Sequence, residues 1–284
     1  VEAAPVEKPQ MDVSVQATGA PSWWAAGFTG AEGANDQVPA DVGVSNELPD
    51  PTHPAFAGVT INNDPLDTVT DHGTHTAGII ASTDATYRGV AYGADRLVNG
   101  GFDWQLGVTV DGNPGAPDPA EVINTSFGSA ADDDDEDNGA DVYTSMFGVS
   151  QSYGAGNDNV SGAPTVGNIG RNTMSVGGFN DVNTVTSSDD VVLGVSSRGP
   201  TPGGRKKPDL TAPGGAITAP DAQWNTPPSN PDFTGMTGTS FSSPHVAGAM
   251  TLLEGSGITD AMAQRALLIN SARDWNGTNT GLSG

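Results

Sequence analysis

Between Gly238 and Gly248 the chain reads Gly-Thr-Ser-Phe-Ser-Ser-Pro-His-Val-Ala-Gly, and few folds can use such a stretch. A turn of small residues leads into Ser240, and Val246, Met250 and Leu253 then recur at helical spacing. The pattern predicts a buried helix with Ser240 at its start. Pro244 is expected in the first turn, where a missing N–H costs the ladder nothing. Backbone N–H groups at a helix start point outward and favour negative charge. A serine held there is well placed as a nucleophile whose attack creates an oxyanion. An isolated serine before a helix is ordinarily an N-cap, so the case rests on what the rest of the chain supplies.

The 284 residues suffice for one large domain, and nothing marks a linker between two. Residues 1–19 are polar and contain proline, which reads as an extended arm before a domain over 20–284. Ala20 to Gly27 reads as a short helix capped by Ser22 and closed by Gly27, with Trp23 and Trp24 as packing residues. Asp141 to Ser152 reads as a helix, and Val122–Thr125, Met174–Gly178 and Val191–Val195 as strands. The net charge is −24 with only ten basic residues, which excludes nucleic acid as a partner and indicates a strongly solvated surface. Cysteine is absent, so no disulfide holds the fold. No apolar run is long enough to span a membrane, and the start Val1-Glu2-Ala3-Ala4-Pro5 reads like a processed terminus. These features suit a secreted or salt-tolerant protein.

Four further stretches stand in order along the chain. They are His72-Gly73-Thr74-His75-Thr76-Ala77-Gly78; Val122 to Gly128; Gly154-Ala155-Gly156-Asn157; and Ser196 to Pro200 leading to Lys207-Pro208-Asp209 and Ala212-Pro213-Gly214. Together with Gly238–Gly248 they resemble the subtilisin-like serine peptidases, over about Ala20 to Ala272. The resemblance implies a three-layer α/β fold with a mainly parallel central sheet, helices on both faces and the site at the carboxyl ends of the strands. It implies Ser240 as nucleophile, His72 as general base and Asn157 as oxyanion donor. Ser126-Phe127-Gly128 and Gly154-Ala155-Gly156 would line the substrate edge and a pocket of small residues with room for an apolar side chain. The substrate is then a protein or peptide. The chemistry needs no cofactor, because an imidazole near its working pH activates the hydroxyl.

The triad acid has two registers. In one, Asp41-Val42-Gly43-Val44 supplies it as Asp41, at the cost of Pro39 inside a central strand. In the other, Val42-Gly43-Val44-Ser45 is the strand and Asp50-Pro51-Thr52-His53-Pro54 the turn that follows. Asn46 then stands where the aspartate belongs, with Glu47 beside it. The second register would make the protein slow, make it recruit Glu47, or leave a fold kept for binding or structure. An esterase or amidase would use the same machinery.

His75 and His245 read as buried, hydrogen-bonded packing residues. The His-x-x-His pair lacks the glutamate a zinc protease needs after its first histidine, since Gly73 stands there. The acidic run from Ala131 to Asp137 reads as a solvated loop, with structural calcium as its functional alternative.

Overall fold

The computed structural model describes residues 11–31, 40–109, 115–127, 135–159, 165–168, 170–225 and 232–274. Two short helices, α1 (Met11–Ala17) and α2 (Ala20–Ala25), precede β1 (Asp41–Val44). There follow β2 (Thr60–Asn63), α3 (Asp71–Ala81), β3 (Arg96–Asn99), α4 (Phe102–Gln105), β4 (Val122–Thr125), α5 (Asp135–Phe147) and β5 (Ser150–Gly154). The remainder comprises β6 (Met174–Asn180), β7 (Val191–Val192), β8 (Leu210–Pro213), the hairpin β9 (Ile217–Pro220) with β10 (Phe233–Met236), α6 (Thr239–Gly255) and α7 (Ala261–Ser271).

The main sheet runs β2-β3-β1-β4-β5-β6-β7, with β8 also paired to β6. Every pairing in it is parallel except β6 with β7. A sheet of this kind is covered on both faces, and side chains alternating along each strand supply both. Leu97, Val42 and Val122 stand in one row across β3, β1 and β4, and they join Ala77, Ile80, Val246 and Met250 of α3 and α6 in one core. The next residues along, Val98 and Ile123, point the other way, into a second core with Leu106, Ala120 and Val149. Phe102 of α4 and Tyr143 of α5 pack on that second core and stack on each other.

Several local expectations differ from the structure. The segment 11–17 is helical rather than extended, and His245 Nε2 on α6 meets Ser14 Oγ of α1 at 3.1 Å, which ties that helix to the core. The cap of α2 is Gly19, not Ser22. The helix expected to run to Ser152 ends at Phe147, because Gly148 turns left-handed (φ 73°) and the chain enters β5 at Ser150. The tryptophans pack as expected. The Trp24 indole N–H donates to the Val90 carbonyl at 2.9 Å, and Trp23 meets Phe28 edge-on.

Pro244 lies in the second turn of α6 rather than the first. Its ring leaves the Ser240 carbonyl, four residues back, without a helical donor. Ser126 Oγ takes that place, donating to the Ser240 carbonyl at 2.7 Å. The proline thus turns a gap in the ladder into a tie between α6 and the end of β4.

At the amino ends of the strands, the carboxyls of Asp41, Glu121 and Glu254 are each pushed up to about 7, chiefly by burial. A folded glutamate that keeps its proton to about pH 7, against an ordinary 4.5, binds more protons folded than unfolded between those values. Stability therefore falls as pH rises through that window. Glu121 Oε2 accepts the Asp41 N–H at 2.8 Å, and a glutamine oxygen can do the same. Glu121→Gln is expected to raise the melting temperature at pH 8 by about 2–4 °C, about 1 kcal/mol in a chain of this size after discounting for solvent screening. At pH 4.5 it should change little. Equal melting curves at pH 8 would show that burial does not hold this proton.

Candidate active site

The order β3-β1-β4 sends the chain to opposite sides of β1, so the crevice beyond the carboxyl ends of β1 and β4 is a switch point where ligands bind. Four segments meet there: residues 45–48 after β1, Ser126-Phe127 after β4, Gly154–Asn157 after β5, and the first turn of α6.

Ser240 is the second residue of α6. Its Oγ donates to the Ser126 carbonyl at 3.0 Å, reciprocating the bond from Ser126 Oγ to the Ser240 carbonyl. The Ser240 N–H donates to no acceptor among the described residues, as befits an orphan donor at a helix start. Beside it, Asn157 Oδ1 accepts the Thr239 N–H at 2.9 Å. That bond assigns the amide, so Nδ2 is the end left to donate into the cleft. The Ser240 N–H and Asn157 Nδ2 form a pair of donors at a helix N-terminus, the arrangement that stabilises a developing negative charge.

His72 is in the first turn of α3. Its ring lies 5.4 Å from Phe241 and 5.7 Å from Phe127, the residues that follow Ser240 and Ser126. In this structure the Ser240 hydroxyl is turned to the Ser126 carbonyl rather than to His72. The side chain of His72 is 27% exposed, whereas His75 and His245 are fully enclosed. Burial pushes His75 down to about 3 and His245 down to about 4, which keeps both neutral at ordinary pH. His245 Nδ1 hydrogen-bonds the Phe241 carbonyl at 2.7 Å, and His75 packs edge-on against the Phe241 ring. His53 braces the loops, its Nε2 2.7 Å from the Asp232 carbonyl.

The carboxylate at His72 Nδ1 belongs to Glu47. Asp41 is not there. It is the first residue of β1, at the opposite end of that strand from the cleft, and its Oδ2 pairs with Arg96 at 3.2 Å. Expecting Asp41 behind His72 fails because β1 begins at Asp41 and its carboxyl end is Val44, so the segment that reaches the cleft is the one after Val44. Asn46 stands in that segment, in a left-handed conformation (φ 61°).

A cavity of about 270 Å³ opens beside Ser240, lined among others by Ser126, Phe127, Gly154, Gly156, Asp158 and Thr165. Glycines and Ser126 line it together with Phe127, and Asp158 and Thr165 add polar lining. Gly128 lies outside the described residues. Ala155 lies under the cavity as core rather than lining, with no exposed surface. Sequence reasoning missed Asn168, whose Nδ2 donates to the carbonyls of Phe127 and Gly154 at 2.8 and 2.7 Å. That amide clamps the two cavity walls to each other, and no motif marks it.

Residues 46–283 match the family model described as the subtilase family. The chain belongs to the subtilase family. This subtilase is 32% identical over 213 residues to the serine protease AprX of Bacillus subtilis, covering 64% of the chain and 48% of that protein. It is 29% identical over 232 residues to an extracellular protease of Xanthomonas campestris, covering 74% of the chain and 37% of that protein. The subtilase thus spans less than half the length of these curated relatives. Among solved structures, a protease of Pseudoalteromonas arctica superposes with a TM-score of 0.67 at 22% identity, covering 92% of this chain and 88% of the other. The prenylagaramide maturation protease PagA gives 0.65 at 20%, covering 90% and 88%. Both carry the same fold. Among the described residues of the subtilase, no group of three or more histidines and carboxylates converges as a metal site, and no helix is long and apolar enough to cross a membrane. Residues 131–134 of the acidic run lie outside the described residues.

Proposed function

We propose that this chain is a serine endopeptidase that cleaves peptide bonds through an acyl-enzyme on Ser240. The observation that carries the reading is the donor pair beside the nucleophile. Asn157 is held by the Thr239 N–H so that its Nδ2 and the Ser240 N–H both serve the cleft where the Ser240 hydroxyl stands. Two unpaired donors beside a hydroxyl are what acyl transfer needs to hold its oxyanion.

An extended peptide adds beside the exposed backbone after β4, with one side chain entering the cavity. The Ser240 hydroxyl leaves the Ser126 carbonyl by rotation about its own Cα–Cβ bond and gives its proton to His72 Nε2 as Oγ attacks the substrate carbonyl carbon. The carbonyl oxygen becomes an oxyanion between Asn157 Nδ2 and the Ser240 N–H. His72 then passes the proton to the leaving amine, the C–N bond breaks, and an ester to Ser240 remains. Water hydrolyses that ester by the same steps in reverse order, with His72 again as base. No cofactor enters. The extracellular protease of Xanthomonas campestris among its relatives supports an extracellular site of action for this chain too.

A fluorophosphonate probe tests the proposal, because only an activated serine displaces its fluoride rapidly. Labelling is expected to be stoichiometric and to map to the peptide carrying Ser240, and His72→Ala should slow it by at least about 10³-fold. Folded wild-type protein that takes no label would overturn the peptidase reading in favour of a fold kept for binding.

A further inference from the structure

We infer that Glu47, one residue beyond the place where a subtilase is expected to carry its aspartate, is the positioning residue that holds His72 in its working tautomer. The inference rests on the peptidase reading. Its ground is a frame that ties Glu47 and His72 together through the backbone as well as through their side chains.

Asn46 begins the device. Its N–H donates to the Gly100 carbonyl at 2.9 Å, while its backbone turns left-handed, a conformation asparagine tolerates better than most residues. Its side chain makes no hydrogen bond among the described residues, and an amide brings no charge to stabilise an imidazolium. The left-handed step redirects the chain, so that the next side chain rather than Asn46's faces α3. Glu47 carries one methylene more than aspartate, and its Oε2 meets His72 Nδ1.

Leu48 completes the frame. Its N–H donates to the Thr68 carbonyl at 3.2 Å, and its own carbonyl accepts the Thr70 N–H at 3.1 Å. Thr70 is the N-cap of α3, its Oγ1 accepting the Gly73 N–H at 2.8 Å. The segment that presents the carboxylate is thereby bonded to the cap of the helix that presents the imidazole. The two run so close that a Cβ on Gly73 would stand 2.7 Å from the Leu48 carbonyl oxygen and 3.0 Å from Glu47 Cβ. Only glycine leaves that approach open.

Charge argues the same way. His72 sits in the first turn of α3, where the helix dipole opposes a positive ring. When the ring takes the Ser240 proton it becomes cationic, and a fixed carboxylate at Nδ1 offsets that cost. The Glu47 side chain is only 15% exposed, which limits competition from water. Among the described residues no other carboxylate meets His72.

The test uses Glu47→Gln, Glu47→Asp and Asp41→Asn in the full chain, each checked for folding by circular dichroism. Glutamine keeps the size and removes the charge. It should lower kcat on a peptide substrate by about 10⁴-fold, the loss a Ser-His-acid triad suffers when its acid becomes an amide. KM should change little, since Glu47 touches no substrate. Glu47→Asp should recover part of kcat, and Asp41→Asn should keep kcat within about threefold. Proton NMR supplies a readout independent of turnover. The far-downfield signal of a histidine Nδ1–H held on a carboxylate should appear in wild type and Asp41→Asn and vanish in Glu47→Gln. Wild-type kcat and an intact downfield signal in folded Glu47→Gln would overturn the inference, as would loss of both in folded Asp41→Asn. If Ser240 takes no fluorophosphonate in wild type yet the downfield signal follows Glu47, the peptidase reading fails while the pairing stands.

Discussion

Ser240→Ala should lower kcat by about 10⁶-fold while leaving the melting temperature within about 2 °C of wild type. The size follows from what the hydroxyl does. Without it no acyl-enzyme forms, and only the donor pair and substrate binding remain to act on a water molecule. The small effect on stability follows from the bonds Ser240 keeps. Its carbonyl still accepts from Ser126 Oγ, so the tie made necessary by Pro244 survives, and only the bond from Ser240 Oγ to the Ser126 carbonyl is lost. A His72→Ala, Ser240→Ala double variant should lose little beyond Ser240→Ala alone. The two groups act as one unit, and removing the second part of a broken unit costs almost nothing. Steady-state kinetics on a chromogenic peptide read the losses. A double variant a further 10³-fold slower than the single would show that His72 acts on something other than Ser240.

How much of this site could be read from the chain follows from where each role is encoded. Ser240, His72 and Asn157 stand in short motifs whose neighbours are fixed by local geometry. Each of these residues begins a helix or closes a tight turn, and such places restrict residue type within a few positions. The central strands were legible for a similar reason, since Val122-Ile123 and the alternating pair Met174 and Val176 supply apolar side chains to the cores on short segments. The carboxylate beside His72 was legible only as one of two registers, because its place depends on a single backbone rotation at Asn46 that no composition signals. Asp41 has the expected side chain at the wrong end of a strand, and Glu47 has the expected position only once the left-handed step is known. The same limit hid the location of Pro244. Sequence can say that proline tolerates a first turn, but it cannot say that Ser126, more than a hundred residues away, will satisfy the carbonyl a later proline frees. Asn168 lay beyond reach for that reason as well: its work is to join two walls distant along the chain.

Asn157→Leu should lower kcat by about 10²–10³-fold with KM nearly unchanged, because a substrate carbonyl needs the Nδ2 donor far less than the oxyanion does. The leucine variant also strands the Thr239 N–H, which now donates to Asn157 Oδ1, so about 1 kcal/mol of stability should go with it. Asn157→Asp separates the two effects. A carboxylate oxygen still accepts the Thr239 N–H, and a negative group at the start of α6 suits the helix dipole, so the fold should be as stable as wild type. The second oxygen, however, replaces a donor with a charge of the same sign as the oxyanion. The aspartate variant should therefore lose at least as much kcat as leucine while melting with the wild type. Kinetics and thermal melts on the two variants read this directly. An aspartate variant within about threefold of wild-type kcat would mean that the Ser240 N–H alone carries the oxyanion, and that Asn157 serves only to anchor the first turn of α6.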